Sequence, residues 1–382
     1  MPNDARADQD DYIPTDLVPL GEFAWPQGET QQTLQYIFGT LTKKIPWFDT
    51  AQNVNQDDLH SIRDQGMIAA AHARLQDILF QCLDTRFLEW AKDPDAATRQ
   101  HAFVYPPMQT PLLRDWADAR GLAIITSFEG LRDDNTADAV VFIVTDQPLL
   151  RDNNSIESIR ALIRSIAGTQ RKIILGCNSW AWRYLTAVSA IDMSVPSRFT
   201  TPAFDSDAMA ALLAPVISEN YDLSNVCSES SGDPVFERDD KDALKDQYFS
   251  KLAKRSLGLP WNAIEMVFDD AQSADDDPDN DDQNAADHDH TRMWLRLSGS
   301  PALPQHDHAL ICMALQNLLI QEPCRADTIA ALLPRPLPQG IWTTLASLGF
   351  VTIGEDGLHH NPRHYATIRS ALGSAGLNLD QL

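Results

Sequence analysis

The sequence predicts a mixed α/β chain: a parallel sheet layered with helices, then a small all-helical region, then three helices and a β-hairpin. Three observations predict it. Residues 140–185 read as a buried strand, a loop, an amphipathic helix, a second buried strand and another helix. Strands alternating with helices build a parallel sheet with helices on both faces. Between 203 and 268 helical periodicity recurs without a strand candidate, and beyond 308 three helical stretches precede a hairpin with a glycine-flanked turn.

Along the chain, residues 1–60 mix Pro, Asp and Gln with aromatic islands at Phe23, Trp25, Tyr36, Trp47 and Phe48, the pattern of an arm that packs on something rather than a domain. The α/β core is expected over 61–202. It opens with helical periodicity from Ile62 to Leu88, ended by Asp93-Pro94-Asp95. His101–Val104 is a short strand that enters Tyr105-Pro106-Pro107-Met108-Gln109-Thr110-Pro111, followed by a helix from Leu112 to Arg120 with Gly121 as its C-cap. Leu122–Thr126 and Val140–Val144 are apolar strands, the latter ending in Asp146. Lys172–Leu175 is another and runs into Cys177-Asn178-Ser179. Asn178 and Ser179 have the chemistry to cap the helix that follows.

The helical region, 203–268, holds helices at Ser206–Ile217, Lys241–Ser256 and Pro260–Phe268, the first capped by Asp205 or Ser206. Residues 269–292 are rich in Asp, Asn and Ala and nearly devoid of apolar side chains, which predicts a disordered acidic linker. Residues 293–382 carry helices at His308–Gln321, Arg325–Leu333 and Gln339–Leu348, a hairpin from Phe350 to Asn361, and a closing helix at Tyr365–Leu372. Three helices and a hairpin describe a winged helix-turn-helix.

A chain of 382 residues with 43% hydrophobic content can bury more than one core. It has no apolar run of about 18 residues, so membrane insertion is not expected. The N-terminus lacks the apolar stretch of a signal peptide, and the five cysteines form no paired motif, so reduced thiols and a cytoplasmic location are expected. A net charge of -24 disfavours general nucleic-acid binding, which needs clustered cations. The C-terminal unit is no better suited to DNA. From 296 to 382 it has five Arg and no Lys against six acidic residues, and the candidate recognition helix has no cation at all. His359 and His360 are adjacent on a strand and predicted to face opposite ways, which argues against joint metal ligation. Asp287-His288-Asp289-His290 has better metal spacing but lies in the acidic run.

A carboxylate at the tip of one buried strand, Asp146, and an amide at the tip of the next, Asn178, resemble the magnesium-binding and γ-phosphate-sensing positions of P-loop NTPases. The order of core, helical lid and winged helix resembles the AAA+ branch over roughly residues 95–382. The resemblance implies nucleotide contacts from Tyr105, Pro106, Pro107, Gln109 and Thr110 in the phosphate-loop position. It further implies contacts from Asp146, as the metal ligand, from Asn178, and from Arg255 and Trp261 in the lid. The same comparison shows what is missing. The stretch YPPMQTPLL has neither the glycines nor the lysine of G-x-x-x-x-G-K-[ST], and three prolines there have no N–H to donate. Thr110 alone could supply the magnesium-binding hydroxyl. Gln147 follows Asp146 where the family has its catalytic Glu, and an amide is no general base. Gly258 opens the lid helix AKRSLGLPWNAIEM, but Trp261 stands where the family has an Arg. Arg183 and Arg198 are the candidates for an arginine finger.

Phosphoryl transfer rests almost wholly on positioning and charge stabilisation. With these parts missing together, no catalytic residue and no cofactor are expected. The leading expectation is a degenerate AAA+-like adaptor or regulatory protein that docks protein partners. A homo-oligomer is left open. Two alternatives stand beside it: an ATP- and Mg²⁺-binding switch that couples nucleotide state to the winged helix, and a DNA-associated winged-helix regulator.

Overall fold

The computed structural model describes residues 12–26, 59–61, 64–108, 111–131, 138–146, 149–150, 155–274 and 292–382. Its strands are β1 (Val18–Pro19), β2 (Leu59–Ser61), β3 (Gln100–Tyr105), β4 (Ala123–Ile125), β5 (Val140–Ile143), β6 (Ile173–Asn178), β7 (Ser197–Thr200), β8 (Val226–Ser228), β9 (Gln272–Ala274), β10 (Arg292–Leu295), β11 (Val351–Ile353) and β12 (Leu358–His360). Its helices are α1 (Gln65–Leu83), α2 (Glu89–Lys92), α3 (Leu112–Arg120), α4 (Phe128–Leu131), α5 (Ser155–Gly168), α6 (Ser179–Ser189), α7 (Ser206–Ile217), α8 (Tyr248–Arg255), α9 (Pro260–Asp270), α10 (His308–Ile320), α11 (Ala326–Leu332), α12 (Ile341–Ser347) and α13 (Tyr365–Ser374). A π-turn at Asp84–Leu88 joins α1 to α2. The described residues fall into two compact units, each assembled from three stretches of chain.

One unit comprises residues 15–24, 76–202 and 300–382. Its six-stranded sheet has the order β1-β7-β3-β6-β5-β4, parallel except for β1, which pairs antiparallel with β7. The central parallel strands β3, β5 and β6 are short, largely apolar runs buried on both faces, as a sheet covered by helices on each side requires, while the outer β4 and β7 are partly exposed. From β3 the chain crosses to the far edge at β4, then steps back through β5 and β6. It finally passes beyond β3 to β7. Right-handed crossovers then put α3 on one face and α4, α5 and α6 on the other. Consistently, α5 packs against both α4 and α6, while α3 holds the π-turn through Trp116 Nε1, which donates to Asp84 Oδ1 at 2.9 Å. Arg120 closes the same corner on Asp84 at 2.6 Å. Phe87, Trp90, His101, Trp116 and Phe199 interlock edge to face beneath it. Burial lowers the His101 pKa to about 4, so this imidazole is neutral in the core. Buried Lys172 reaches the carbonyls at the C-terminal end of α2, Ala91 and Asp93, acceptors that the helix itself leaves unsatisfied.

In the same unit α10, α11 and α12 are followed by the β11–β12 hairpin and α13, the elements the sequence predicts. Cys324 adds a bridge to the hairpin: Leu358 N donates to Cys324 O at 2.8 Å and Cys324 N to Leu358 O at 3.2 Å.

The other unit comprises residues 1–14, 25–75 and 203–299. It departs from the all-helical expectation. Between α7 and α8 the chain forms β8, which pairs parallel with β10 in a four-stranded sheet of order β2-β9-β10-β8. The helix expected at Lys241–Ser256 starts only at Tyr248. Strands of three or four residues have no room for a period-two signal, and β8, Val-Cys-Ser, reads as loop. The acidic linker expected from 269 likewise begins inside structure. Asp270 ends α9, and Gln272–Ala274 is β9, paired antiparallel with β2 and β10. β10 at 292–295 belongs to this sheet, not to the C-terminal helices. Residues 275–291, with the histidine pair at 288 and 290, lie outside the described residues. So do Tyr36, Trp47 and Phe48 of the N-terminal arm, whereas Leu17 and Phe23 are buried and β1 extends the six-stranded sheet.

Candidate functional site: the crevice at the strand tips

Strands β3 and β6 are neighbours, yet their onward connections leave in opposite directions, one toward β4 and the other toward β7. Open α/β sheets gather ligands at such a switch point, outside the carboxyl ends of the strands. The register aligns Tyr105 at the end of β3 with Asn178 at the end of β6. Asp146 follows β5 in a short 3-10 turn. Tyr105, Pro107, Asp146 and Asn178 therefore line one cavity, joined by Arg114 from α3 and Glu322 from beyond α10. Pro106 is buried beside them. Gln109, Thr110 and Gln147 lie outside the described residues.

The polar groups of this crevice are already paired. The Asn178 Oδ1 accepts from Ala181 N at 2.7 Å and so caps α6. Its Nδ2 donates to Leu319 O at 3.1 Å and to Ile320 O at 3.4 Å, the last carbonyls of α10. The side chain is buried, and its amide is spent at both ends. Asp146 is held by the Arg114 guanidinium. Gln321, one residue past α10, bridges the loop after β5: its Oε1 accepts from Leu149 N at 2.5 Å and its Nε2 donates to Thr145 O at 3.1 Å. The Tyr105 phenol is pushed up by burial, against a hydrogen bond with Thr145. Burial also raises the Cys177 thiol, so it is no nucleophile.

The space left is about 160 Å³, small against the roughly 300–1,000 Å³ of ordinary ligand pockets. Pro107 and Pro111 border it, and neither has an N–H to offer a phosphate.

Gln321 and Arg114 carry no motif that sequence reasoning could have caught. Arg114 did leave one signal. It is in the first turn of α3, where a cation opposes the helix dipole, and such a placement asks for a carboxylate partner. Gln321 reads only as a polar residue after an apolar helix.

Arg255 and Trp261 belong to the other unit. There Arg255 Nη1 donates to Leu297 O at 2.6 Å and Ser298 O at 3.1 Å, while Trp261 is 5% exposed near the start of α9. Arg255 thus ties α8 to the segment after β10, and Trp261 serves as core.

The hairpin engages Glu322, a further charged group of the crevice. Glu322 Oε1 accepts from His360 N at 2.9 Å and its Oε2 meets His360 Nδ1 at 2.5 Å. His359 Nδ1 lies 3.6 Å from the same carboxylate, and its Nε2 lies 2.8 Å from Asp356. The two histidines were expected to diverge. They converge because Glu322 approaches the edge of β12, where the backbone N–H and both rings are within reach.

No family model matches the chain, and no curated protein matches it. Among solved structures it is similar to a Walker-type ATPase of Pyrococcus abyssi, with 12% identity, a TM-score of 0.20 and 77% of each chain covered. That likeness is too slight to assign a fold or an activity.

Proposed function

We propose that this chain is a non-hydrolysing adaptor or regulatory protein, in which a nucleotide-type α/β crevice has become an internal docking joint for a winged-helix-like C-terminal unit. One observation carries the reading. Among the described residues, the groups that would meet a nucleotide at the strand tips are satisfied from within: Asn178 by the end of α10, Asp146 by Arg114, and the loop after β5 by Gln321. A phosphate would have to displace three sets of hydrogen bonds and would find no lysine or glycine loop to replace them. Each buried group left unpaired costs roughly 1–3 kcal/mol.

The C-terminal unit offers the surface for a protein partner. Met313, Leu332 and Ile353 are large apolar side chains left exposed on it, and Ile353 is 60% exposed. The candidate recognition helix α12 has no cation for phosphate or guanine, which favours protein over DNA as partner.

The test has two arms. Calorimetric titration of the folded, nucleotide-free chain should give no heat with ATP and Mg²⁺ at about millimolar concentration, and Asp146→Ala should change nothing. Magnesium-dependent micromolar affinity that vanishes in Asp146→Ala or Arg114→Ala would reinstate a nucleotide switch. In the second arm, Ile353→Asp should abolish specific cross-linked partners recovered with the wild-type chain. Partners unaffected by it would move the docking surface elsewhere.

A further inference from the structure

A second cavity, of about 260 Å³, lies in the same unit and shares no lining residue with the crevice. Trp182, Arg183 and Thr186 of α6 line it, together with Asp192, Arg198 at β7, and Gln381. Residues 182, 183 and 186 are spaced to share one helix face. Arg198 is held only loosely, with Nη1 3.4 Å from Asp192 O and 3.8 Å from its carboxylate. Arg183 has no hydrogen-bond or ion-pair partner among the described residues, and the buried Thr186 Oγ1 has no hydrogen bond.

We propose that this cavity binds a small oxyanion, a phosphate or carboxylate group on a compact ligand, held between Arg183 and Arg198 with Thr186 donating. The chemistry of the lining decides the class. Guanidinium groups donate only, so their complement must accept, and planar guanidinium favours paired contacts with carboxylate or phosphate oxygens. Two cations and one carboxylate line it, so the side chains of the lining carry a net positive charge in a chain whose net charge is -24. Its size sets the scale. About 260 Å³ corresponds to several water volumes of roughly 30 Å³ each, enough for inorganic phosphate or a short dicarboxylic acid and too little for a dinucleotide. The buried hydroxyl of Thr186 supplies the second indication. It is a donor in the lining that has no hydrogen bond among the described residues, and a small rotation of the side chain would offer it to an oxygen acceptor in the cavity. The site is independent of the adaptor reading and stands whether or not that reading holds.

The experiment titrates the full chain at low ionic strength with inorganic phosphate and, separately, with succinate, following heat and tryptophan emission. Saturable binding of at least one probe below ~10 mM is expected. Phosphate alone assigns a phosphorylated ligand, succinate alone a carboxylate, and both assign the shared oxyanion chemistry. The double variant Arg183→Gln/Arg198→Gln should weaken binding by about tenfold or more, since both charge-assisted contacts are lost. Arg335→Gln, whose guanidinium pairs with Asp307 away from this cavity, should bind as the wild type does. Thr186→Val keeps the shape of the helix face and should weaken binding a few-fold, which covers the case in which the double variant fails to fold. Binding of neither probe, or binding that survives both the double variant and Thr186→Val, overturns the proposal.

Discussion

At the residue scale, Asn178 separates two explanations that its sequence position leaves tangled. As a helix cap it needs only an acceptor, and Asp is as good a cap as Asn. As a joint between α6 and α10 it also needs a donor, because Nδ2 serves the carbonyls of Leu319 and Ile320. Asn178→Asp distinguishes them. The capping bond to Ala181 survives, but a carboxylate oxygen now faces two carbonyl oxygens in a buried place. The expected loss is about 2–4 kcal/mol, above the cost of removing a cap, because two buried acceptors go unmet and a charge is desolvated. Urea midpoints of Asn178→Asp and Asn178→Ala measure it. If Asp is tolerated as well as the wild type while Ala costs about 1 kcal/mol, Asn178 is a cap and nothing more.

At the scale of elements, the β11–β12 hairpin is fastened to the end of α10 by charge, and its stability should follow pH. Glu322 and Asp356 raise the His359 pKa to about 9, with the hydrogen bond that His359 donates to Glu322 the larger cause. Burial works against the charge on Glu322, yet the field of His360 and hydrogen bonds with both rings hold its carboxyl below the usual range. A histidine raised in the folded state contributes stability that is complete below its ordinary value of 6.5 and is lost as pH rises through 9. The lowered Glu322 contributes above its ordinary range and loses that contribution as pH falls through the acid limb. The urea midpoint should therefore decline from pH 6.5 toward pH 9 and beyond, and His359→Gln should flatten that alkaline slope. A variant with the wild-type slope would show that other groups carry the alkaline transition. This contact also marks the limit of sequence reading. The hairpin itself is legible from Gly354 and Gly357 around its turn, and β3, β5 and β6 from their apolar runs. The convergence of both histidines on Glu322 is not, because it depends on where the chain after α10 returns. The same holds for β8, β9 and β10. Their residues have no periodicity of their own, and only pairing with one another makes them strands. Asp146 and Asn178 stood out as polar residues at apolar strand tips. Their partners Arg114 and Gln321 come from other elements; Arg114 leaves only the sign of a cation in the first turn of a helix, and Gln321 none.

At the scale of the molecule, the unit holding the crevice is discontinuous, and its last stretch completes it. Residues 300–382 do more than follow the sheet. Trp180 of α6, 1% exposed, donates from Nε1 to the Tyr365 hydroxyl at 2.9 Å. Ser179 Oγ donates to Asp380 Oδ2 at 2.6 Å, and the same carboxylate accepts from Tyr365 at 3.0 Å and Arg369 at 2.8 Å. A buried carboxylate is stable only with such partners, so α6, α13 and the C-terminal segment are bound into one polar network around Asp380. A modular winged helix on a flexible tether would leave the sheet intact when removed. Here its removal would uncover Trp180, leave Ser179 Oγ and Asn178 Nδ2 without their partners, and open the strand tips to water. The fragment 1–299 is therefore expected to expose apolar surface. It should bind a hydrophobic dye and lose the share of near-ultraviolet dichroism and of cooperative unfolding that belongs to the crevice unit, while the full chain does neither. A fragment with native near-ultraviolet dichroism and cooperative unfolding would make the C-terminal elements a separable module. The crevice would then be open in that fragment, and nucleotide binding by it would show that α10 and Gln321 act as a removable plug rather than as part of the fold.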